Sequence, residues 1–149
     1  MYSVSSPVLL ILFNRFDQTK ALIESLKQVS LTKLYIGIDG PRNESDKEEI
    51  SKIVKYIKYE VANNCEVIFN LQEQNLGCGL GPRAAISWFF TMEEEGIILE
   101  DDCIPSSTFF KYCDDLLTKY KYENNVWIIS GDNGGPILRD QYFLDYDYT

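Results

Sequence analysis

The hydrophobic and polar positions of the chain fall into short continuous apolar runs, separated by longer stretches in which apolar residues recur at helical spacing. The continuous runs predict strands at residues 8–13, 33–39, 66–71, 96–99 and 126–130. The first of them, bounded by Pro7 and by Asn14, has the pattern of a strand buried on both faces. The intervening stretches predict four helices. The first is capped by Asp17 and carries Leu22, Leu26 and Val29, and the second follows the acidic segment 43–49. The third starts at Pro82 and ends at Gly96, and the fourth is capped by Ser106 or Ser107.

This alternation of strand and helix, without a repeat or a linker, predicts a single α/β domain over residues 1–149. We expect a three-layer α/β/α sandwich in which helices cover both faces of a mostly parallel, Rossmann-like sheet. In such sheets ligands bind beyond the carboxyl ends of the strands, near the point at which the strand order reverses. Residues in the loops that follow the strands are therefore the candidates for chemistry.

The amino-acid composition excludes several classes of ligand and of catalytic site. Asp and Glu number 23 against 14 Lys and Arg, a net charge of −9, which disfavours binding to a nucleic-acid backbone. The chain has no histidine, which excludes catalysis by a histidine base and zinc sites built on histidine. The first apolar run is too short for a signal sequence or a membrane span. The sequence therefore predicts a cytoplasmic protein without a transmembrane segment.

Three adjacent carboxylates, Glu100, Asp101 and Asp102, directly follow the fourth predicted strand. Their charges repel one another, and a bound cation would relieve the repulsion. Strand alternation places Glu100 and Asp102 on one side and Asp101 on the other, so that one or two of them meet a single ion. Oxygen ligands without cysteine or histidine favour Mg²⁺ or Mn²⁺. The alternative is a solvated acidic loop whose charges favour the start of the next helix.

Three other features lie at predicted strand ends. Arg15 follows the first strand, and its alternative role is an ion pair with a surface carboxylate. Asp39 ends the second strand before Gly40, where it either binds a ligand or bonds to the backbone of its own turn. The glycine-rich segment 75–81 could cradle a phosphate at a helix start, but its spacing matches neither the dinucleotide-binding nor the P-loop pattern and favours a mobile turn.

The segments PVLLILFNR, IGIDGPR, QNLGCGLGPRAA, GIILEDDCIPSSTFF and VWIISGDNGG resemble, in this order, the nucleotide-sugar-binding half of a GT-A glycosyltransferase. The resemblance spans nearly the whole chain and is closest to the N-acetylglucosaminyltransferase I type, which carries Glu-Asp-Asp where relatives carry Asp-x-Asp. It implies that Arg15 and Asp39 contact the nucleotide, that Arg83 approaches the diphosphate, that Glu100 and Asp101 contact the donor or order the site, and that Asp102 binds Mn²⁺ or Mg²⁺. The implied function is metal-dependent transfer of a sugar from a nucleotide-diphospho-sugar to an acceptor hydroxyl. The resemblance favours a donor in which the sugar is linked to UDP.

The resemblance also implies that a part is missing. Transfer with inversion needs a carboxylate base for the acceptor hydroxyl, and the family supplies it from a second half. Asp132 is the one late candidate near the site, so we expect a donor-binding half that lacks the C-terminal acceptor half.

Two other functions stay open. One is a non-catalytic module that binds a nucleotide sugar or a partner protein. The other is a receiver-like, Mg²⁺-binding phosphoacceptor domain. The receiver pattern fits less well, because it requires an acidic pair after the first strand, where this chain has Asn14 and Arg15.

Overall fold

The structure is a computed structural model that describes residues 1–61 and 65–131. Its strands are β1 (Tyr2–Val4), β2 (Val8–Leu12), β3 (Val29–Leu31), β4 (Lys33–Ile38), β5 (Glu66–Leu71) and β6 (Ile97–Glu100). Its helices are α1 (Phe16–Leu26), α2 (Glu44–Glu60), α3 (Gly77–Phe89) and α4 (Ser107–Tyr120). Four of the five predicted strands and all four predicted helices are therefore present.

The main sheet is parallel and has the strand order β5-β4-β2-β6. Residues 8–12 of β2 pair with residues 34–38 of β4 on one side, and residues 8–11 pair with β6 on the other. The central strand β2 is buried on both faces, which explains its continuous apolar sequence. The predicted α/β class with a mostly parallel sheet is confirmed.

Helices cover both faces of this sheet. The main core joins the strands to α1, α2 and α4, with Leu10, Ile53 and Phe110 fully buried. A second core joins β2 and β4 to α3, with Leu9 and Phe89 fully buried. The chain forms β4 and β5 on one side of β2 and then crosses back to β6 on the other side. Because parallel crossovers are right-handed, this reversal places α3 on the face opposite α1 and α2.

A second, two-stranded parallel sheet was not predicted from the sequence. β1 pairs with β3, so that Tyr2 lies opposite Val29 and Val4 lies opposite Leu31. The prediction that Val29 continues the first helix is wrong, because α1 ends at Leu26. Val29 is buried in the main core from a strand instead, a conformation that its β-branched side chain favours when a partner strand is available.

The predicted strand at residues 126–130 is also wrong. Within the described residues β6 pairs only with β2, and segment 126–130 forms no strand. Trp127 and Ile128 are 91% and 89% exposed. An apolar, β-branched segment forms a strand only where a neighbouring strand completes its backbone hydrogen bonds, and none of the described strands does so here.

The N-terminal caps of α1 and α4 differ from the prediction, the first in the residue that caps the helix and the second in its hydrogen bonding. Arg15, not Asp17, is the N-cap of α1, and Asp17 lies in the first turn, where its charge favours the positive end of the helix. Ser106 is the N-cap of α4, as predicted, but its side chain makes no capping hydrogen bond.

The limits predicted for α3 are wrong at both ends. The helix begins at Gly77, whose φ of +79° is a left-handed conformation that glycine adopts without strain, so Pro82 lies inside it. It ends at Phe89 rather than Gly96. A Cβ at Gly96 would lie 2.4 Å from the Phe89 ring, so glycine is needed there for close packing rather than for ending the helix.

Candidate functional site

The candidate site is the edge of the sheet at which the strand order reverses. β2 and β6 are neighbours there, although β4 and β5 come between them in the chain. A cleft of about 390 Å³ opens beyond the carboxyl ends of the strands, a volume typical of small-molecule sites. Its polar lining consists of Arg15, Asp39, Arg42, Asn70, Gln72, Asn75, Cys78, Glu100 and Asp101. The structure thus brings together four residues predicted from the sequence: Arg15, Asp39, Glu100 and Asp101.

Arg15 lies between two carboxylates of the acidic triplet. Its Nη1 is 3.1 Å from Oδ1 of Asp101 and 3.6 Å from Oδ2 of Asp102. The Asp101 side chain is 10% exposed, whereas those of Arg15 and Asp102 are 54% and 62% exposed. Arg15 therefore links the end of β2 to the loop after β6. The ion pair that the sequence left as an alternative forms inside the cleft rather than away from it.

Asp101 is a buried carboxylate whose negative charge is incompletely compensated. Burial raises its pKa above the ordinary carboxyl value, and the charges of Asp102 and Glu100 raise it further. The Arg15 guanidinium acts in the opposite direction without reversing the shift. An additional cation beside Asp101 would stabilise its ionised form.

The metal prediction depends on how many oxygen ligands converge. Among residues 1–61 and 65–131, no three acidic or cysteine side chains form a group that could hold a metal ion. Asp101 and Asp102 do converge, because both approach the same nitrogen of Arg15. The prediction that strand alternation places them on opposite sides is therefore wrong, since β6 ends at Glu100 and the alternation does not continue beyond it. Mg²⁺ in proteins is commonly held by one or two carboxylates together with substrate phosphates and water. The pair therefore fits an ion that binds with a phosphorylated ligand, not one held by protein groups alone.

Asp39, which follows β4, is fixed by four hydrogen bonds. Its Oδ1 accepts from the backbone N–H groups of Gly40 at 2.9 Å and Leu76 at 2.8 Å. Its Oδ2 accepts from the backbone N–H of Gly77 at 2.9 Å and from Nδ2 of Asn75 at 3.0 Å. Asp39 thus bonds to its own turn, which is one of the two roles that the sequence predicts. It also holds the beginning of α3, whose positive end its charge stabilises.

The glycine-rich segment lets α3 approach the sheet closely. Residues 77–81 form the first turns of α3, so the prediction of a mobile turn is wrong there. A Cβ at Gly81 would lie 3.0 Å from Oδ2 of Asp39, and a Cβ at Gly37 of β4 would lie 2.6 Å from Cβ of Ala85. Side chains at these two glycines would displace α3 and with it one wall of the cleft.

Arg42 lines the cleft and was not singled out from the sequence. Its Nε and Nη2 donate to the carboxylate of Asp46 at 2.7 Å and 3.1 Å, and its Cζ lies 4.9 Å from the centroid of the Phe13 ring. Asn14 donates a hydrogen bond of 2.5 Å to the same carboxylate. The Arg42 guanidinium lowers the pKa of Asp46 to about 2, against the opposing effect of burial. The available signal was the position of Arg42 in the same turn as Asp39, four residues before Asp46.

The other predicted site residues lie apart from this lining. Asp102 contacts Arg15 but does not line the cleft. Arg83 is exposed on α3, outside the cleft, and has no ion pair with the part of the chain that the structure describes. Its implied approach to a diphosphate stays a prediction. Asp132, the candidate base, lies outside the described residues.

None of the helices in the described part of the chain is both long and apolar enough to cross a membrane. Comparison of the chain with models of protein families, with curated proteins and with solved structures finds no significant match. The function must therefore be inferred from the chemistry of the cleft.

Proposed function

We propose that this chain binds the nucleotide-diphospho-sugar donor, UDP-linked, of a metal-dependent glycosyl transfer in the cleft beyond β2, β4 and β6. The observation that carries the proposal is the contact of Arg15 with Asp101 and Asp102, which places a cation and two carboxylates where the strand order reverses. Nucleotides bind at such positions in parallel α/β sheets. The resemblance of the acidic triplet to that of GT-A glycosyltransferases supports the same assignment.

The charge of the cleft explains why a diphosphate would need a metal ion here. Three carboxylates line it, those of Asp39, Glu100 and Asp101. Of its two arginines, Arg42 is already paired with Asp46. A nucleotide diphosphate is an anion, and the chain carries a net charge of −9. A divalent cation that binds with the nucleotide reverses the local sign. We therefore expect the ion and the nucleotide to bind together, and each to bind weakly alone.

The roles of the residues follow from their contacts. Asp102, with Asp101 beside it, would hold Mn²⁺ or Mg²⁺. The bound ion would neutralise the negative charge of the departing diphosphate. Arg15 is half exposed, so its guanidinium would donate hydrogen bonds to the diphosphate. Asp39 acts mainly by fixing Asn75 and the start of α3, which form a wall of the nucleotide site.

A thermal-shift screen of nucleotide sugars, with and without Mn²⁺, tests the proposal. We expect a UDP-sugar to raise the melting temperature only when Mn²⁺ is present, because a ligand of the native state stabilises it by mass action. Asp102→Ala should lose that rise. The matched control is Asp115→Ala, which removes an aspartate paired with Lys111 on α4 and should keep the rise.

Three outcomes would count against the proposal. An equal rise with and without Mn²⁺, or a rise retained in Asp102→Ala, would contradict the metal-linked site. The absence of a rise with any nucleotide sugar would contradict donor binding itself.

Binding and catalysis are separated by a second measurement. Departure of the diphosphate needs only the donor site, whereas transfer needs a base for the acceptor hydroxyl, which contributes about 10²–10⁴-fold to the rate. Slow, Mn²⁺-dependent hydrolysis of the donor would indicate an enzyme, and its absence despite tight binding would favour the non-catalytic module. Labelling by acetyl phosphate would instead indicate a receiver-like domain.

A further inference from the structure

Arg42 is held in place by two neighbours, Phe13 and Asp46, and Asp46 is itself held by Asn14. The guanidinium lies over the Phe13 ring, with Cζ 4.9 Å from the ring centroid. Asp46 binds one edge through Nε and Nη2, at 2.7 Å and 3.1 Å. Asn14 in turn holds Asp46 through a hydrogen bond of 2.5 Å. The plane of this guanidinium is therefore fixed at the wall of the cleft.

The same contacts define what Arg42 still offers to a ligand. Its side chain is 57% exposed, and its Nη1 has no hydrogen-bond partner among the described residues. Its charge is balanced by the adjacent Asp46 carboxylate, which weakens its attraction for a phosphate. A flat guanidinium remains, and planar aromatic groups, nucleobases included, stack on such a surface.

The polar groups of the cleft are distributed unevenly. At the end of β5 and just beyond it lie two uncharged amides, Asn70 and Gln72, which are joined by a hydrogen bond of 3.1 Å. Amides both donate and accept hydrogen bonds, which suits the edge of a nucleobase. Arg15 and Asp101 lie on the other side of the cleft, at the ends of β2 and β6. The cleft thus has two uncharged amides beside β5 and a partly exposed ion pair beside β2 and β6.

We infer that Arg42 binds the nucleobase of the donor by stacking, while the diphosphate lies at Arg15. This inference rests on the proposed function and adds to it the orientation of the nucleotide. The base lies toward β4 and β5, and the diphosphate lies toward β2 and β6.

The test compares UDP with inorganic pyrophosphate, both titrated in the presence of Mn²⁺. Arg42→Lys keeps the positive charge and removes the plane. It should weaken the binding of UDP by about tenfold, the size expected for one base stacked on a side chain. The Kd of pyrophosphate, which has no base, should stay unchanged. Arg15→Lys is the complementary variant and should weaken both ligands alike.

Provided that the wild-type protein binds UDP, either of two results would overturn the inference. One is an unchanged Kd for UDP in Arg42→Lys, and the other is an equal loss of UDP and pyrophosphate, which would assign Arg42 to the phosphates. If the wild type binds neither ligand, the proposed function fails and this inference fails with it.

Arg42→Lys also alters the contact with Asp46, so a variant that leaves that contact intact is needed should the lysine protein not fold. Phe13→Leu removes the aromatic ring behind the guanidinium and keeps an apolar side chain. It should weaken UDP and spare pyrophosphate. A Phe13→Leu protein that binds both ligands as the wild type does would overturn the inference.

Discussion

Each carboxylate oxygen of Asp39 accepts two hydrogen bonds, and three of the four donors are backbone N–H groups. An asparagine at this position has only one oxygen, so Asp39→Asn leaves donors without a partner. We expect it to lower the free energy of unfolding by about 1–3 kcal/mol, measured by urea denaturation. Asp115→Asn, at an exposed ion pair with Lys111, should change it by less than about 0.5 kcal/mol. Similar values for the two variants would show that Asp39 does not hold α3.

Asp114 of α4 ties the N-terminal segment to the rest of the fold. It is 5% exposed and accepts from the hydroxyl of Tyr2 at 2.7 Å and from the backbone N–H groups of Ser5 and Ser6 at 2.9 Å and 3.0 Å. Burial by itself would raise the pKa of Asp114, but these hydrogen bonds outweigh burial and lower it. A carboxyl group whose pKa is lower in the folded state stabilises the fold only while it is ionised.

The contribution of Asp114 to stability should therefore depend on pH. It is present above the ordinary carboxyl pKa of 3.8 and is lost as the pH falls through the lower folded-state value. Asp114→Asn should cost about 1–3 kcal/mol at neutral pH and much less in acid, as measured by urea denaturation at both pH values. A difference between wild type and variant that does not shrink in acid would contradict the role of the ionised carboxylate.

Residues at the ends of predicted strands could be placed in the cleft from the sequence, because parallel strands end at one edge of a sheet. Arg15, Asp39 and Asp101 were found in this way. Arg42 was not, because its position depends on Phe13, from another strand end, and on a helix residue, neither of which a local pattern reveals.

The packing of α3 against β4 depends on a glycine without room for a side chain. A Cβ at Gly37 would lie 2.6 Å from Cβ of Ala85, so Gly37→Ala should destabilise the fold by about 1–3 kcal/mol through overpacking. Gly79, inside α3, has no atom within 4 Å of its Cβ position. Gly79→Ala should therefore stabilise the fold by about 0.5–1 kcal/mol. Melting temperatures that move in the same direction in both variants would contradict this packing.

The exposed segment 126–130 gives an equally direct test of the observed elements. Ile128 is 89% exposed, whereas Ile97 of β6 is 4% exposed. Ile97→Thr buries a hydroxyl and should cost about 1–3 kcal/mol, whereas Ile128→Thr should change stability by less than about 0.5 kcal/mol. A large loss in Ile128→Thr, measured by urea denaturation, would show that this segment is buried as the sequence predicted.

Strands and helices could be predicted from the sequence where the local hydrophobic pattern is compatible with only one kind of element. β2 has a continuous apolar run that its burial in the sheet explains, and β2 and the half-buried edge strand β5 both lie close to their predicted limits. The pairing of β1 with β3 is a contact between segments far apart in the chain, and neither three-residue strand has a periodicity of its own. Pro82 suits the first position of a helix and so predicts too late a start for α3, whereas the hydrogen bond from Gly77 to Asp39 fixes the start at Gly77.

At the scale of the whole molecule, a protein with a net negative charge is proposed to bind an anionic ligand in its cleft. The sheet reversal gathers Arg15, Asp101 and Asp102 at one point, and Asp101 is buried at some cost to its charged form. A divalent ion that arrives with a diphosphate would complete the coordination of these carboxylates and offset that cost. Metal and nucleotide binding should therefore be coupled reciprocally.

The most direct test of this coupling is a calorimetric titration of the wild-type protein with UDP, performed with Mn²⁺ and after its removal by a chelator. We predict measurable binding of UDP only in the presence of Mn²⁺, weak binding of Mn²⁺ alone, and loss of UDP binding in Asp102→Ala. Equal affinity for UDP in the two conditions, or no binding of UDP in either, would contradict the assignment of this cleft.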